Sequence, residues 1–194
     1  MIEADLLNYM KYSSDDNEKP PSYNWEVIDK LINAKNIQIY KITIYYIKIC
    51  KNIIEDEKNI IYSNNYIKSI IEYYSNDMSK KDIDITRNEM VKFFKTINEI
   101  VGEDEKMFKI MGNLLFVLVE NRLFLIKDFN TFLKEDKNTI INLALITKYC
   151  IISSGKYAKK YYNDFRQNKL FINNAEIFKE NVSESLKDLF YYIK

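Results

Sequence analysis

Residues 106–124 read KMFKIMGNLLFVLVENRLF, the least polar stretch of the chain. Between 107 and 119 almost every residue is apolar, and Gly112 stands in the middle. A helix that is apolar on nearly every side has to be buried on nearly every side. This one is therefore expected at the centre of a helical globule. Glycine inside a helix costs about 1 kcal/mol against alanine. That cost is tolerable where the missing side chain lets a neighbouring helix come close, so Gly112 is expected to mark a tight helix crossing. The run is too short to span a bilayer, which takes ~20 apolar residues, and Glu120 and Arg122 follow it.

Working outward, the chain is poor in breakers. It has 3 Gly and 2 Pro in 194 residues, too little turn chemistry for an all-β fold. In NIQIYKITIYYIKICKNII the alternation slips after a few residues. Ile39, Ile42, Tyr46, Ile49 and Ile53 instead follow helical spacing, which predicts a helix over 37–54. Weaker helices are expected over 3–11 and through Val27, Ile28, Leu31 and Ile32, separated by the polar, proline-bearing YSSDDNEKPPS. Ser22 or Asn24 would cap the second of these, and Trp25 would anchor it in the core or, alternatively, face a partner. Another helix is expected over 64–74, with Ile67, Ile70, Ile71 and Tyr74 on its inner face, followed by the exposed SNDMSKKDIDI.

Thr86 and Glu89 stand at capping-box spacing. They predict a helix start, with Met90, Phe94, Ile97 and Val101 facing inward and Gly102 as its C′ stop. Glu103, Asp104 and Glu105 would then complement the dipole of the central helix. Beyond it come a short helix over 127–133 and a second strongly apolar helix over 139–152 that stops at Gly155. KYAKKYYNDFRQ forms an amphipathic helix. A last helix runs through Leu186, Leu189, Phe190 and Ile193, capped by Asn181 with Glu184. The expected fold is all-α, a globular bundle around a buried central helix. Residues 1–23 are an N-terminal helix and linker, and 24–194 form a single domain. Roughly nine to eleven helices result, without a repeat of fixed period.

The chemistry of catalysis is hard to find. There is no histidine, which removes the commonest general base, the Ser-His and Cys-His systems and most zinc sites. Gly155-Lys156 lacks the remaining residues of a phosphate loop, with Cys150 and Tyr157 at the key places. The acidic clusters at Glu55-Asp56-Glu57, Glu103-Asp104-Glu105 and Glu135-Asp136 sit at expected helix ends beside lysines and read as solvated termini. No catalytic residue, cofactor or metal is expected, and the chain is read as a non-enzyme.

Charge points the same way. The net charge is +1, which gives no general pull toward nucleic acid or an anionic membrane. GKYAKKYYNDFR does interleave cations with aromatics, as single-strand binders do. The same spacing describes a surface helix whose tyrosines pack inward, so nucleic acid is not the expected partner. Cys50 and Cys150 lie far apart in apolar patterns and read as buried thiols of a reducing, cytoplasmic compartment. MIEADLLNYMKYSSDDNEKPP has no apolar signal core and SLKDLFYYIK no tail anchor. The abundance of Lys, Asn, Ile and Tyr, with only three Arg, points to an AT-rich genome. It also inflates apparent strand propensity, since Ile stands where Leu would otherwise be.

Phe108, Met111 and Gly112 in MFKIMGNLLFVLV match the aromatic, two residues, Ile or Met, then Gly pattern of a particular central helix. KFFKTINEIV precedes it and LFLIKDFNTFLKED follows it where flanking helices belong. In these features, over about residues 64–167, the chain resembles the divergent poxvirus Bcl-2-like family. The Asn-Trp-Gly-Arg signature of cellular Bcl-2 proteins is absent, because Met111 and Asn113 flank Gly112, and no Leu-x-x-x-Gly-Asp motif occurs.

The resemblance implies a viral protein of the host cytoplasm, with a Bcl-2-like fold and no enzymatic activity. It would bind host proteins to modulate apoptosis or innate immune signalling. The missing motifs favour the branch that engages innate-signalling adaptors through helix faces. A homodimer stays open. A groove, if present, would lie between the helices of 90–101, 107–119 and 127–133, lined by Phe93, Phe94, Ile97, Leu115 and Phe129. All five are also natural core residues. The competing architecture is a helical scaffold of the HEAT or MIF4G kind, stacking helix pairs in a protein or RNA-processing assembly.

Overall fold

The computed structural model describes residues 68, 71, 72, 75–95 and 105–192. Of these, 83% are helical and none lies in a strand, so the described part of the chain is all-α. The chain divides into two units, Met1–Thr86 and Arg87–Lys194. The boundary expected between residues 23 and 24 lies outside the described residues. So do the helices expected over 3–11, through Val27 and Ile32 and over 37–54, together with Trp25, Cys50, Ile97, Val101 and Gly102.

In the first unit, Lys68, Ile71 and Glu72 are helical as expected for 64–74, and Ile71 is fully buried. Helix α1 (Lys80–Lys95), whose residues from Arg87 onward belong to the second unit, corrects the expected start at Thr86. Ser79 is its cap: the Ser79 hydroxyl accepts from the Asp82 amide at 3.2 Å, and the Ser79 carbonyl accepts from Ile83 at 3.0 Å. Ser79 and Asp82 stand at the same cap spacing as Thr86 and Glu89, and the upstream pair wins. Thr86 is therefore mid-helix and buried, on the stripe continued by Met90, Phe93 and Phe94.

The second unit is organised by two apolar helices, α2 (Glu105–Glu120) and α3 (Lys137–Ser153). Along α2, Met107, Phe108, Ile110, Met111, Gly112, Leu114, Leu115, Val117 and Leu118 are all buried. Exposure is confined to Glu105, Lys106 and Glu120 at its ends. The helix expected over 107–119 is thus buried on nearly every side. Glu105 supplies the expected negative charge in the first turn. Its end is a Schellman turn: the Leu123 amide donates to Leu118 at 2.9 Å and the Arg122 amide to Val119 at 3.1 Å. Arg122 occupies the left-handed position with φ 62°.

The connector holds a 3-10 turn, Ile126–Phe132, where a short helix was expected. Asp136 caps α3 by accepting from Thr139 at 2.8 Å. That backbone bond, with the Thr139 hydroxyl, holds its carboxyl below the ordinary carboxylate value. Gly155, at φ 56°, turns the chain after α3, as expected, and a 3-10 turn Gly155–Tyr157 leads into α4 (Ala158–Arg166).

The tail differs from expectation. Two short helices, α5 (Lys169–Asn173) and α6 (Ala175–Phe178), precede a π turn at Lys179–Ser183, and α7 spans Lys187–Tyr192. Asn181 does not cap the last helix. It lies inside the π turn and donates from Nδ2 to Ile177 at 2.8 Å. The preceding helical segment already occupies the register in which Asn181 would have begun a new one.

Candidate functional site

The centre of the unit is the crossing of α2 and α3. A Cβ built on Gly112 would collide with Cβ of Tyr149, and would lie 2.7 Å from the Tyr149 carbonyl carbon and 2.8 Å from the Cys150 nitrogen. Two of these atoms are backbone. No rotamer change relieves the collision, so α2 and α3 approach to a distance that only glycine permits. The expectation for Gly112 rested on cost alone; the structure supplies the neighbour.

Two tyrosine–carboxylate bonds tie the ends of α2. The Tyr149 hydroxyl donates to Glu105 Oε1 at 2.6 Å. The Tyr161 hydroxyl, on α4, donates to Glu120 Oε1. The Tyr149 bond, with Lys109 and Lys148 nearby, holds the Glu105 carboxyl below its ordinary value. Burial pushes both phenols up, and the carboxylates beside them push the same way. Burial also raises the Cys150 thiol, with Glu120 adding to the effect. Cys150 is fully buried and not disulfide-bonded, and a thiol held protonated is a poor nucleophile and metal ligand.

A seam of aromatic rings runs beside this crossing. Phe94 of α1 meets Phe124 at 5.0 Å between ring centroids, and Phe124 meets Phe129 at 5.2 Å. Phe129 also meets Phe132, Phe165 and Phe171. The seam continues from Phe171 through Phe178 and Tyr162 to Phe190 of α7. The edge-to-face and tilted geometries are those aromatic quadrupoles prefer. Phe93, Phe94, Leu115 and Phe129 all have 0% exposure. The four described groove candidates therefore sit in the core, and Phe129 is the hub of the seam rather than the lining of an open cleft.

Polar groups pin the connector from outside. Arg87 of α1 makes a bidentate pair with Asp128, Nε and Nη2 each donating at 3.1 Å. Asp128 Oδ2 also accepts from the Leu125 amide at 2.9 Å. Asn168 caps α5 and donates from Nδ2 to the Ile126 carbonyl at 2.9 Å. Sequence reading missed both. A lone Arg and a lone Asp distant in sequence carry no local signal of pairing.

The mixed basic and aromatic stretch resolves into two faces. Tyr161 and Phe165 are buried, whereas Lys156, Tyr157, Lys159, Lys160 and Arg166 are exposed. Among the described residues, no group of His, Cys, Asp and Glu could hold a metal ion. No described helix is long and apolar enough to cross a membrane. No protein-family model, curated protein or solved structure matches the chain.

Proposed function

We propose that the chain is a non-enzymatic protein that acts by protein–protein contact, on a Bcl-2-like globule of the kind it resembles. In this reading it is a viral protein of the host cytoplasm that modulates apoptosis or innate immune signalling. The observation that carries it is Gly112. A glycine at the middle of a buried central helix, set against the backbone of α3, is the feature on which the resemblance rests. Because Phe93, Phe94, Leu115 and Phe129 are fully buried, contact through outer helix faces is favoured over insertion of a peptide between helices.

The test is affinity capture from host-cell lysate with the purified protein as bait, with reciprocal capture by each recovered partner. Recovery of death-family proteins or innate-signalling adaptors is the expected result. Recovery of translation or RNA-processing factors instead would favour the HEAT or MIF4G-like scaffold and overturn the Bcl-2-like reading.

A further inference from the structure

The corner between α3 and α4 gathers two kinds of exposed chemistry. The chain as a whole is nearly neutral at +1. Yet between residues 148 and 169, Lys156, Lys159, Lys160, Arg166 and Lys169 are exposed beside one exposed acid, Asp164, while the nearby carboxylates of Glu105 and Glu120 are engaged by Tyr149 and Tyr161. On α4, Lys159 and Arg166 are seven residues apart, two helical turns, and so share a face. Both are exposed, as are Lys156 just before the helix and Lys160 beside that face.

The same corner carries large apolar side chains in solvent. Ile152 is 43% and Tyr157 49% exposed. Lys156 lies over the Tyr157 ring at 5.1 Å, which leaves a cation and a ring presented together. Two exposed apolar side chains in the same segment as these cations suit a partner that brings both carboxylates and an apolar anchor.

Resting on the protein-contact reading above, we propose that the corner from Ile152 to Arg166 docks an acidic segment of a partner protein that carries an apolar anchor. Charge complementarity selects the occupant. Nucleic acid is disfavoured because Tyr161 and Phe165 are turned into the core and Tyr162 packs on Phe178 and Phe190, which leaves Tyr157 as the one exposed ring of the stretch rather than a run of stacking platforms.

The probe is a fluorescein-labelled, glutamate-rich peptide bearing a pair of leucines, titrated against the whole purified chain and read by anisotropy. The triple variant Lys156→Glu, Lys159→Glu, Arg166→Glu is expected to weaken binding by at least about tenfold with an unchanged circular dichroism spectrum. Ile152→Ser with Tyr157→Ser should weaken it about fivefold while charge is kept. No binding of the peptide, or binding that survives charge reversal, overturns the proposal. So does a single-stranded oligonucleotide of equal charge that binds more tightly than the peptide. Lysate capture with the triple variant separates the two ideas. Partners retained despite reversal leave the protein-contact reading standing without this surface. Charge-dependent peptide binding with no partner of the expected kind leaves the surface standing without that reading.

Discussion

Arg122 holds a left-handed backbone at φ 62°, where an L side chain crowds its own carbonyl at a cost of roughly 1–2 kcal/mol. Glycine removes that crowding but gives the unfolded chain more freedom, a loss of about 0.4–1 kcal/mol. Arg122→Gly is therefore expected to raise stability by about 0.5 kcal/mol, and Arg122→Val to lower it by about 1 kcal/mol, since a β-branched side chain fits this region worst. Urea unfolding should rank the three Gly, Arg, Val. A second residue matters for the opposite reason. Asp128 accepts three hydrogen bonds, two of them from Arg87, and its side chain is only 11% exposed. Asp128→Ala should cost about 2–3 kcal/mol, because it removes two hydrogen bonds from a largely desolvated guanidinium and one from the Leu125 amide. Asp128→Asn, which can still accept from Leu125, should recover part of that loss in the same unfolding assay. By contrast, the exposed Lys68–Glu72 pair at 3.9 Å is expected to contribute under ~0.5 kcal/mol.

At the scale of the element, legibility followed apolar density. Helices α2 and α3 came within two residues of their expected bounds at each end, because an apolar run that long leaves no other burial solution. Gly155 was readable because a left-handed stop favours glycine. Arg122 was not, because the same turn was built without it. The start of α1 was misread for a different reason. Two cap signatures lie seven residues apart, and sequence alone does not say that Ser79 rather than Thr86 bears the unsatisfied amides. The short helices α5 and α6 carry no periodicity of their own. Their apolar residues Phe171 and Phe178 make sense only against Phe129 and Tyr162. The core seam shows the same dependence. Phe129 stood among the groove candidates for its place in the segment 127–133, and its position at the hub became visible only in three dimensions. Phe129→Ala is expected to cost about 3–5 kcal/mol and to broaden the thermal transition, measured by calorimetry.

At the scale of the whole molecule, the surroundings of α2 hold groups that burial keeps protonated to higher pH than in the unfolded chain. Tyr149 and Tyr161 are raised above their ordinary value of 10.0, and Cys150 above 9.0. A raised folded-state value means that the folded chain holds protons the unfolded chain gives up. Stability is then full below the unfolded values and falls as pH rises past about 9. The double variant Tyr149→Phe, Tyr161→Phe, followed by urea unfolding across pH 8 to 11, should show a shallower alkaline decline than the wild type. Glu105, with its lowered value, acts at the other end. Its contribution is present above about pH 4.5 and is lost on further acidification. The function proposed for the globule draws on the crossing of α2 and α3, because the family resemblance is centred on Gly112.

The most direct test of that centre is Gly112→Ala, compared in denaturant with Asn113→Ala one residue along the same helix. Helix propensity alone would make Gly112→Ala stabilising by about 1 kcal/mol. The close approach of Tyr149 and Cys150 requires that gain to be overwhelmed, giving a net loss of about 1–3 kcal/mol as the two helices are forced apart. A Gly112→Ala protein as stable as the wild type, or more so, would contradict the crossing and with it the central helix as the organiser of the fold.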